Sequence, residues 1–377
     1  MDTPTANRSE FSLAETRHIL KDLFTPRPWI YWTDFLVSMT LGSVFFVLAR
    51  RFTPVWSIQQ AVCFFTACLF FYRAVLFTHE LVHLRANSFG AFRIVWNLLC
   101  GIPFLIPSFT YYSHVDHHMR SRFGTHHDGE YLPLSSQHPL QILLYLCQPF
   151  VLPLLTLLRF LLLTPLCWIF PGVREWAHKH ASSLVMDLKY VRPLPTAKTL
   201  RVFQLQETLC FLLVLGGAIR LGLGRMPTSF LVQAYLTSVV ILFLNNVRTL
   251  GAHRYLSGGK EMTFIEQLLD SVNYPNFSLL TPLWAPVGLR YHALHHLCPS
   301  LPYHNMAEAH RRLMRELPAD SPYRLTNSAS LTATIRELWS RAAESKPAIE
   351  KQTDCPDDSA RKPKQGAGAI GSMGFSS

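Results

Sequence analysis

Residues 29 to 49 read WIYWTDFLVSMTLGSVFFVLA and hold one charged residue, Asp34. A helix needs about 20 mostly apolar residues to cross a bilayer. The Trp and Tyr at the start of this stretch suit an interfacial anchor. Working outward, residues 55 to 78, 206 to 223 and 229 to 250 read the same way. Arg50 to Pro54 join the first two, and a Gly, Arg and Pro turn at 224 to 228 joins the last two. Four spans in two helical hairpins are therefore expected. Three further apolar stretches, 94 to 111, 139 to 170 and 276 to 289, carry prolines (Pro103 and Pro107; Pro149, Pro153 and Pro165; Pro282 and Pro286). Proline removes a helix hydrogen bond, so these stretches are expected to be broken, re-entrant or interfacial.

Composition agrees with a membrane protein. Charged residues make up 16% of the 377, against about 25% for soluble domains. The net charge of +11 could signal nucleic acid, but there is no basic helix, zinc finger or aromatic RNA-binding motif. Cytoplasmic loops collect Lys and Arg. If both hairpin turns face outward, they hold only Arg50, Arg51, Arg220 and Arg225 of the 35 basic residues. The eight cysteines contain no CxxC pair, and most lie in apolar stretches. They read as reduced thiols. The first 28 residues do not resemble a cleaved signal peptide.

The seventeen histidines are clustered. HELVH carries His79 and His83 just beyond the second span. HVDHH carries His114, His117 and His118, and HALHH carries His292, His295 and His296. His253 stands alone in RTLGAHRY, after the fourth span. Random placement predicts on the order of 0.03 HxxHH matches in the chain, yet two occur. On a helix, positions i, i+3 and i+4 share a face, so each cluster can aim two or three imidazoles at one point. Neutral imidazole binds transition metals well. Nine rings suit two ions with four or five ligands each. Two hairpins put all the clusters on one membrane side, provided that 139 to 170 crosses zero or two times.

Two other readings use the same residues. HELVH matches the HExxH pattern of zinc proteases, with Glu80 activating a metal-bound water, but this leaves both HxxHH triplets without a role. Carboxylate-bridged di-iron bundles use two Glu-x-x-His motifs. Glu80 with His83 and Glu175 with His178 match, yet the second lacks an apolar helical setting.

The three boxes, their order and their place after paired spans resemble the membrane fatty-acid desaturases. That superfamily also includes acyl-lipid hydroxylases, sphingolipid desaturases and carotenoid ketolases. The run YHALHHLCPSLPYHNMAEAHRRL, Tyr291 to Leu313, looks especially like the family's third box. The resemblance makes His79, His83, His114, His117, His118, His253, His292, His295 and His296 the ligands of two iron ions. His253 is similar to an extra ligand of family members, some of which carry an asparagine four residues earlier. Thr249 stands there in this chain, with Asn245 and Asn246 further back. Asp128 and Glu130, in FGTHHDGEY, resemble acids that orient the ligands. Glu80, Asp116 and Asp270 are candidates for the same task, accepting an imidazole N–H. His126 and His127 are not counted as ligands. His304 and His310 are read as structural, and His18, His138, His178 and His180 carry no argument.

The expected fold is an all-α membrane protein of four transmembrane helices, with re-entrant or interfacial helices and a cytoplasmic histidine-rich cap. Residues 1–28 form a cytoplasmic segment, 29–315 the membrane desaturase-like domain, 316–341 a cytoplasmic helical segment and 342–377 a disordered tail. By resemblance, the cofactors are two iron ions, with dioxygen as co-substrate. The implied activity is formation of a C=C bond in an acyl or acyl-like chain. Hydroxylation, or desaturation of a small metabolite as in rhizobitoxine vinyl-ether formation, are alternatives on the same site. Electrons are expected from a separate ferredoxin or small haem protein with its reductase. The expected partners are the bilayer and the substrate, with no nucleic acid. The expected location is a bacterial inner membrane.

Overall fold

The computed structural model describes residues 11–52, 57–84, 86–276 and 280–345. Among these it contains helices and isolated bridges but no strand. A short helix, α1 (Leu13–Leu20), precedes the first long apolar helix, α2 (Pro28–Ala49). Next come α3 (Ile58–Val75) and α4 (Phe77–His83), which run almost end to end. Pro28 opens α2 at the position where a missing N–H costs nothing. Ser57 caps α3 by accepting from Gln60 N at 3.2 Å. The α2–α3 pair is tight because Gly42 faces the ring of Phe71. A Cβ there would lie 2.6 Å from that ring. The pair is also pinned by Arg73, whose Nε donates to Asp34 at 2.6 Å.

The chain then runs through α5 (Ala86–Trp96), a π-turn at Asn97–Gly101 and a turn at Ser108–Tyr111 into α6 (His114–His117). An apolar helix follows, α7 (Leu140–Leu158), joined through a π-turn at Arg159–Leu163 to α8 (Thr164–Ile169). After α9 (Pro171–His180) come the long helices α10 (Ala197–Gly222) and α11 (Thr228–Leu250). The C-terminal part holds α12 (Phe264–Asp270), α13 (Thr281–Trp284), α14 (His292–Leu297), α15 (Met306–Glu316) and α16 (Leu331–Glu344). Leu20 and Leu23 of the N-terminal segment pack with Ala309 and Leu313 of α15, and Arg312 bonds Asp22 at 2.7 Å.

Three expectations change. Five helices, not four, are long and apolar enough to cross a membrane, the additional one being Leu140–Ile169. Pro149 and Pro153 sit inside α7 without ending it. The bonding irregularity appears just beyond them as the π-turn, where backbone bonds re-form one residue further along. The span expected at 206 to 223 begins at Ala197, nine residues earlier, because Thr196 caps the helix there. Residues 342–344 complete α16 and Ser345 closes it, and residues 346–377 of the expected tail, like Thr53 and Pro54 of the first hairpin turn, lie outside the described residues.

Both flanks of Leu140–Ile169 bond to segments that carry histidines or their backing acids. Before it, Ser135 donates to Tyr255 O at 2.6 Å. After it, Leu184 N bonds Thr110 O at 2.9 Å and Met186 N bonds Gly129 O at 2.7 Å. The return path is α9, whose ten residues rise about 15 Å, half of a roughly 30 Å hydrocarbon core.

Candidate metal centre

Each histidine is placed by a different local device. His79 and His83 lie one turn apart on α4, the continuation of α3. His114 and His117 lie on α6, and His118 closes that helix. His292, His295 and His296 lie on α14. His253 sits in the turn after α11, bridged to Ser271. Tyr255 folds that turn back by donating to Thr249 O at 2.7 Å, in a left-handed backbone conformation with φ 60°. That conformation is uncommon for a tyrosine and persists only where the surroundings fix it.

The nine rings meet in two groups. His79, His83, His114, His118 and His295 form one, and His117, His253, His292 and His296 form the other. Within each group all candidate ligand atoms lie within 4.8 Å of one another. Each HxxHH box divides between the groups in the same way. The i and i+4 rings go together (His114 with His118, His292 with His296), while the i+3 ring, His117 or His295, crosses to the other group. On a helix of 3.6 residues per turn, i and i+4 are the closest in direction, and i+3 and i+4 diverge on either side of i. His118 and His296, from different groups, stack with centroids 4.4 Å apart.

The spacing suits metal ions. Nε2 atoms of His114 and His118 are 3.0 Å apart, those of His118 and His295 3.0 Å, and those of His253 and His292 2.9 Å. Two metal–imidazole bonds of about 2.1 Å at a right angle span about 3.0 Å between nitrogens. Both ring nitrogens of His79 and Nε2 of His83 are buried with no protein partner. A buried polar atom left so is costly, and a metal would satisfy one nitrogen of each ring.

Three carboxylates hold the rings from behind. His114 Nδ1 lies 2.9 Å from Glu130, His117 Nδ1 2.8 Å from Asp128, and His253 Nδ1 3.1 Å from Asp270. Such contacts fix the ring orientation and leave Nε2 for a metal. The acids are held in turn. Tyr111 donates to Glu130 at 3.1 Å, Tyr131 to Asp270 at 3.0 Å, and Gly124 N to Asp128 at 3.0 Å. Gly124 has φ +71°, and a Cβ there would lie 2.7 Å from Ser257 Cβ.

Two of the expected orienting acids do something else. Glu80 accepts from Tyr31 at 2.7 Å and from Tyr303 N at 3.4 Å. It faces α2 because, on α4, it points away from His79 and His83. Asp116 accepts from Tyr190 at 2.6 Å and pairs with Arg122 at 2.6 Å, on the side of α6 opposite the rings. Asn246 donates to Tyr145 O, and Asn245 accepts from Arg248. His126 and His127 are exposed. His304 accepts from Arg27 N, and His310 bonds Tyr323. The tyrosines that buttress the acids have no spacing signal in the sequence and were not legible there.

A family model for fatty acid desaturases matches residues 54–327, a range that contains all nine histidines. The chain belongs to the fatty acid desaturase family. It is also 38% identical over 336 residues to a ceramide hydroxylase of Caulobacter vibrioides (strain NA1000 / CB15N), covering 88% of this chain and 95% of that relative.

The electrostatics of this desaturase-family centre favour ligation. Burial, then the neighbouring rings, holds His118, His292, His295 and His296 well below the usual imidazole value, so the rings are neutral, the form that binds metal. Burial also lowers His253, against Asp270. Burial pulls His117 the same way, but Asp128 overrides it and the net shift is upward. The protease reading loses its base, since Glu80 bonds Tyr31. The carboxylate reading loses its second motif, since Glu175 pairs with Lys179 at 2.6 Å on the surface.

Proposed function

We propose that this desaturase-family protein is a membrane di-iron oxygenase that hydroxylates the hydrocarbon chain of a ceramide-type N-acyl lipid. The observation that carries the reading is the meeting of nine imidazoles in two groups, one of five and one of four. Nitrogen donors of this softness suit iron among the transition metals. The named activity of the bacterial relative favours hydroxylation over the desaturation expected from the boxes.

The balanced reaction is R–H + O2 + 2e⁻ + 2H⁺ → R–OH + H2O. Bound iron would supply the reductive activation of dioxygen. The chain's own contribution is to hold the ligand rings neutral and fixed through Glu130, Asp128 and Asp270. A reacting carbon held against the buried rings would be positioned and kept from water, which favours attack on an unactivated C–H bond. His79, His114, His117, His253, His292 and His295 are buried, while His83, His118 and His296 are partly open. That open face is the approach for a separate electron donor. Exposed Arg120, which stacks on Phe264 at 5.2 Å, lies beside it and suits an acidic carrier. Reversing the Arg120 charge should slow turnover with the carrier and not with a chemical reductant.

In the membrane, α2, α3–α4, α10 and α11 cross, and Leu140–Ile169 lies along the cap side. The return through α9 is too short for a crossing, and this arrangement keeps all the histidines on one face. That face is cytoplasmic, in a bacterial inner membrane. The test is lipid mass spectrometry of a host with and without the gene, grown under 18O2. A labelled oxygen gained on an N-acyl lipid supports hydroxylation. Loss of two hydrogens restores the desaturase reading. An unchanged N-acyl lipid pool with an altered glycerolipid pool overturns the substrate.

A further inference from the structure

A cavity of about 250 Å³ opens where the segment before α10 meets α6. Asp116 lines it, on the side of α6 opposite the rings, so the cavity is separate from the metal centre. Its other walls include Tyr112 and Ser113 from the turn before α6, Arg192 from the return segment, and Thr199 and Phe203 of α10. A smaller cavity of about 50 Å³ shares Tyr112, Thr199 and Phe203 with it and adds Lys198.

Arg192 gives this cavity its charge, and only 5% of it is exposed. Its guanidinium lies over the ring of Phe203, 4.9 Å from the centroid. Nη1 donates to Ser182 O at 2.9 Å, its one side-chain hydrogen bond among the described residues. Among those residues no carboxylate lies within ion-pair distance of it. The acid of the cavity is already engaged, since Asp116 pairs with Arg122 at 2.6 Å and accepts from Tyr190 at 2.6 Å. The Ser113 hydroxyl is buried and has no protein partner. One face and one edge of the Arg192 fork are thus fixed, and the remaining donors await an anion. A buried guanidinium without one is costly, and its planar fork matches a phosphate group. The first turn of the 26-residue α10 adds the positive end of a helix dipole.

The place of the cavity names the source of the anion. Ala197–Gly222 is long and apolar enough to cross a membrane, so its first turn stands at the bilayer boundary. Around the mouth, Val191, Leu194 and Val202 are about half exposed, and Lys189, Lys198 and Arg201 are exposed. Apolar and basic side chains interleaved at that depth suit the surface of an anionic membrane. We propose that this cavity is a phosphate site that takes the headgroup of an anionic phospholipid, with the Arg192 guanidinium gripping the phosphate. The bound headgroup ties the first turn of α10 and the turn before α6 to the bilayer surface. The site is independent of which lipid the metal centre oxidises.

The test measures binding of three probes to the full-length protein in a neutral detergent: a short-chain phosphatidic acid, the diacylglycerol of the same chains, and inorganic phosphate. Wild type should bind the phosphatidic acid roughly 10- to 100-fold more tightly than the diacylglycerol, as for a hydrogen bond between charged groups. Arg192→Met should erase that gap. Arg201→Gln, which removes an exposed charge outside the cavity, should keep most of it. Equal losses in the two variants would mean diffuse attraction to a basic surface and overturn the site. An unchanged gap in Arg192→Met, or a wild type indifferent to the phosphate, overturns it too. If Arg192→Met does not fold, Thr199→Phe, which fills the cavity and leaves Arg192 in place, should erase the gap, and an unchanged gap there overturns the proposal. Inorganic phosphate that binds as tightly as the phosphatidic acid, and is lost with Arg192, supports the phosphate chemistry and overturns the lipid as its source.

Discussion

The two histidine groups differ in how they are supported. In the group of four, His117 and His253 are each backed by a buried acid, Asp128 and Asp270, and Asp270 is tied further to Tyr131 and to Leu256 N. In the group of five, only His114 has a carboxylate behind it. His79 has no partner on either ring nitrogen, and Nδ1 is unpartnered on His295 and, in the group of four, on His292. Two rings of four are backed by acids in one group against one of five in the other, which relies more on ligand number and on the metal itself to order its rings. Backing acids both orient a ring and raise its basicity, so the four-ring site should be the more rigid and the slower to release its ion.

The largest effect tests whether the groups are one machine. Replacing His118 or His296, which stack across the divide, with Ala should abolish turnover and lower bound iron, as measured by metal analysis of purified protein. Full activity in either variant would remove that ring from the ligand set. Next, Asp270→Asn and Asp128→Asn should weaken metal binding by roughly 10- to 100-fold, the range typical of outer partners of metal ligands. Under chelation, iron should leave wild type in two phases. Asp270→Asn should speed the slower phase and leave the faster one alone, and if it instead speeds the faster phase, the rigidity ranking is reversed.

Smaller effects bound the comparison from outside. Glu80→Gln should change metal affinity by less than about tenfold, below the range for an outer partner, because Glu80 serves Tyr31 and not an imidazole. A loss as large as that of Asp270→Asn would return it to the site. The smallest effect is on stability. Burial pushes His310 down to about 4, so it stays neutral in the fold while the unfolded chain takes up a proton below about 6.5. The unfolded state then binds more protons between those values, and stability rises with pH. The contribution is full above about pH 6.5 and falls by at most about 3 kcal/mol as the pH drops to 4. Thermal unfolding in detergent at pH 5 and pH 7.5 should show this slope, and His310→Gln should flatten it.

Much of the site was legible because its ligands follow helix spacing. HxxHH puts three rings on one face whatever surrounds it, and the acids of FGTHHDGEY lie near enough in sequence to be noticed. Glu80 and Asp116 carried the same local signal and were misread, since a box position tells which residue is near a ligand but not which way its side chain points. The fifth apolar helix shows the same limit. Length and hydropathy make Leu140–Ile169 a candidate span, and only the tertiary bonds of its flanks, through Ser135, Leu184 and Met186, tie both of its ends to segments near the histidines.

The sequence alone determined the long apolar helices, the three histidine boxes and the number of rings, because these depend on local periodicity and residue chemistry. The tertiary structure decided how the boxes divide between two groups and which acid stands behind which ring. Those outcomes depend on side chains brought together from positions more than a hundred residues apart, such as His117 and His253, and no local pattern encodes that distance.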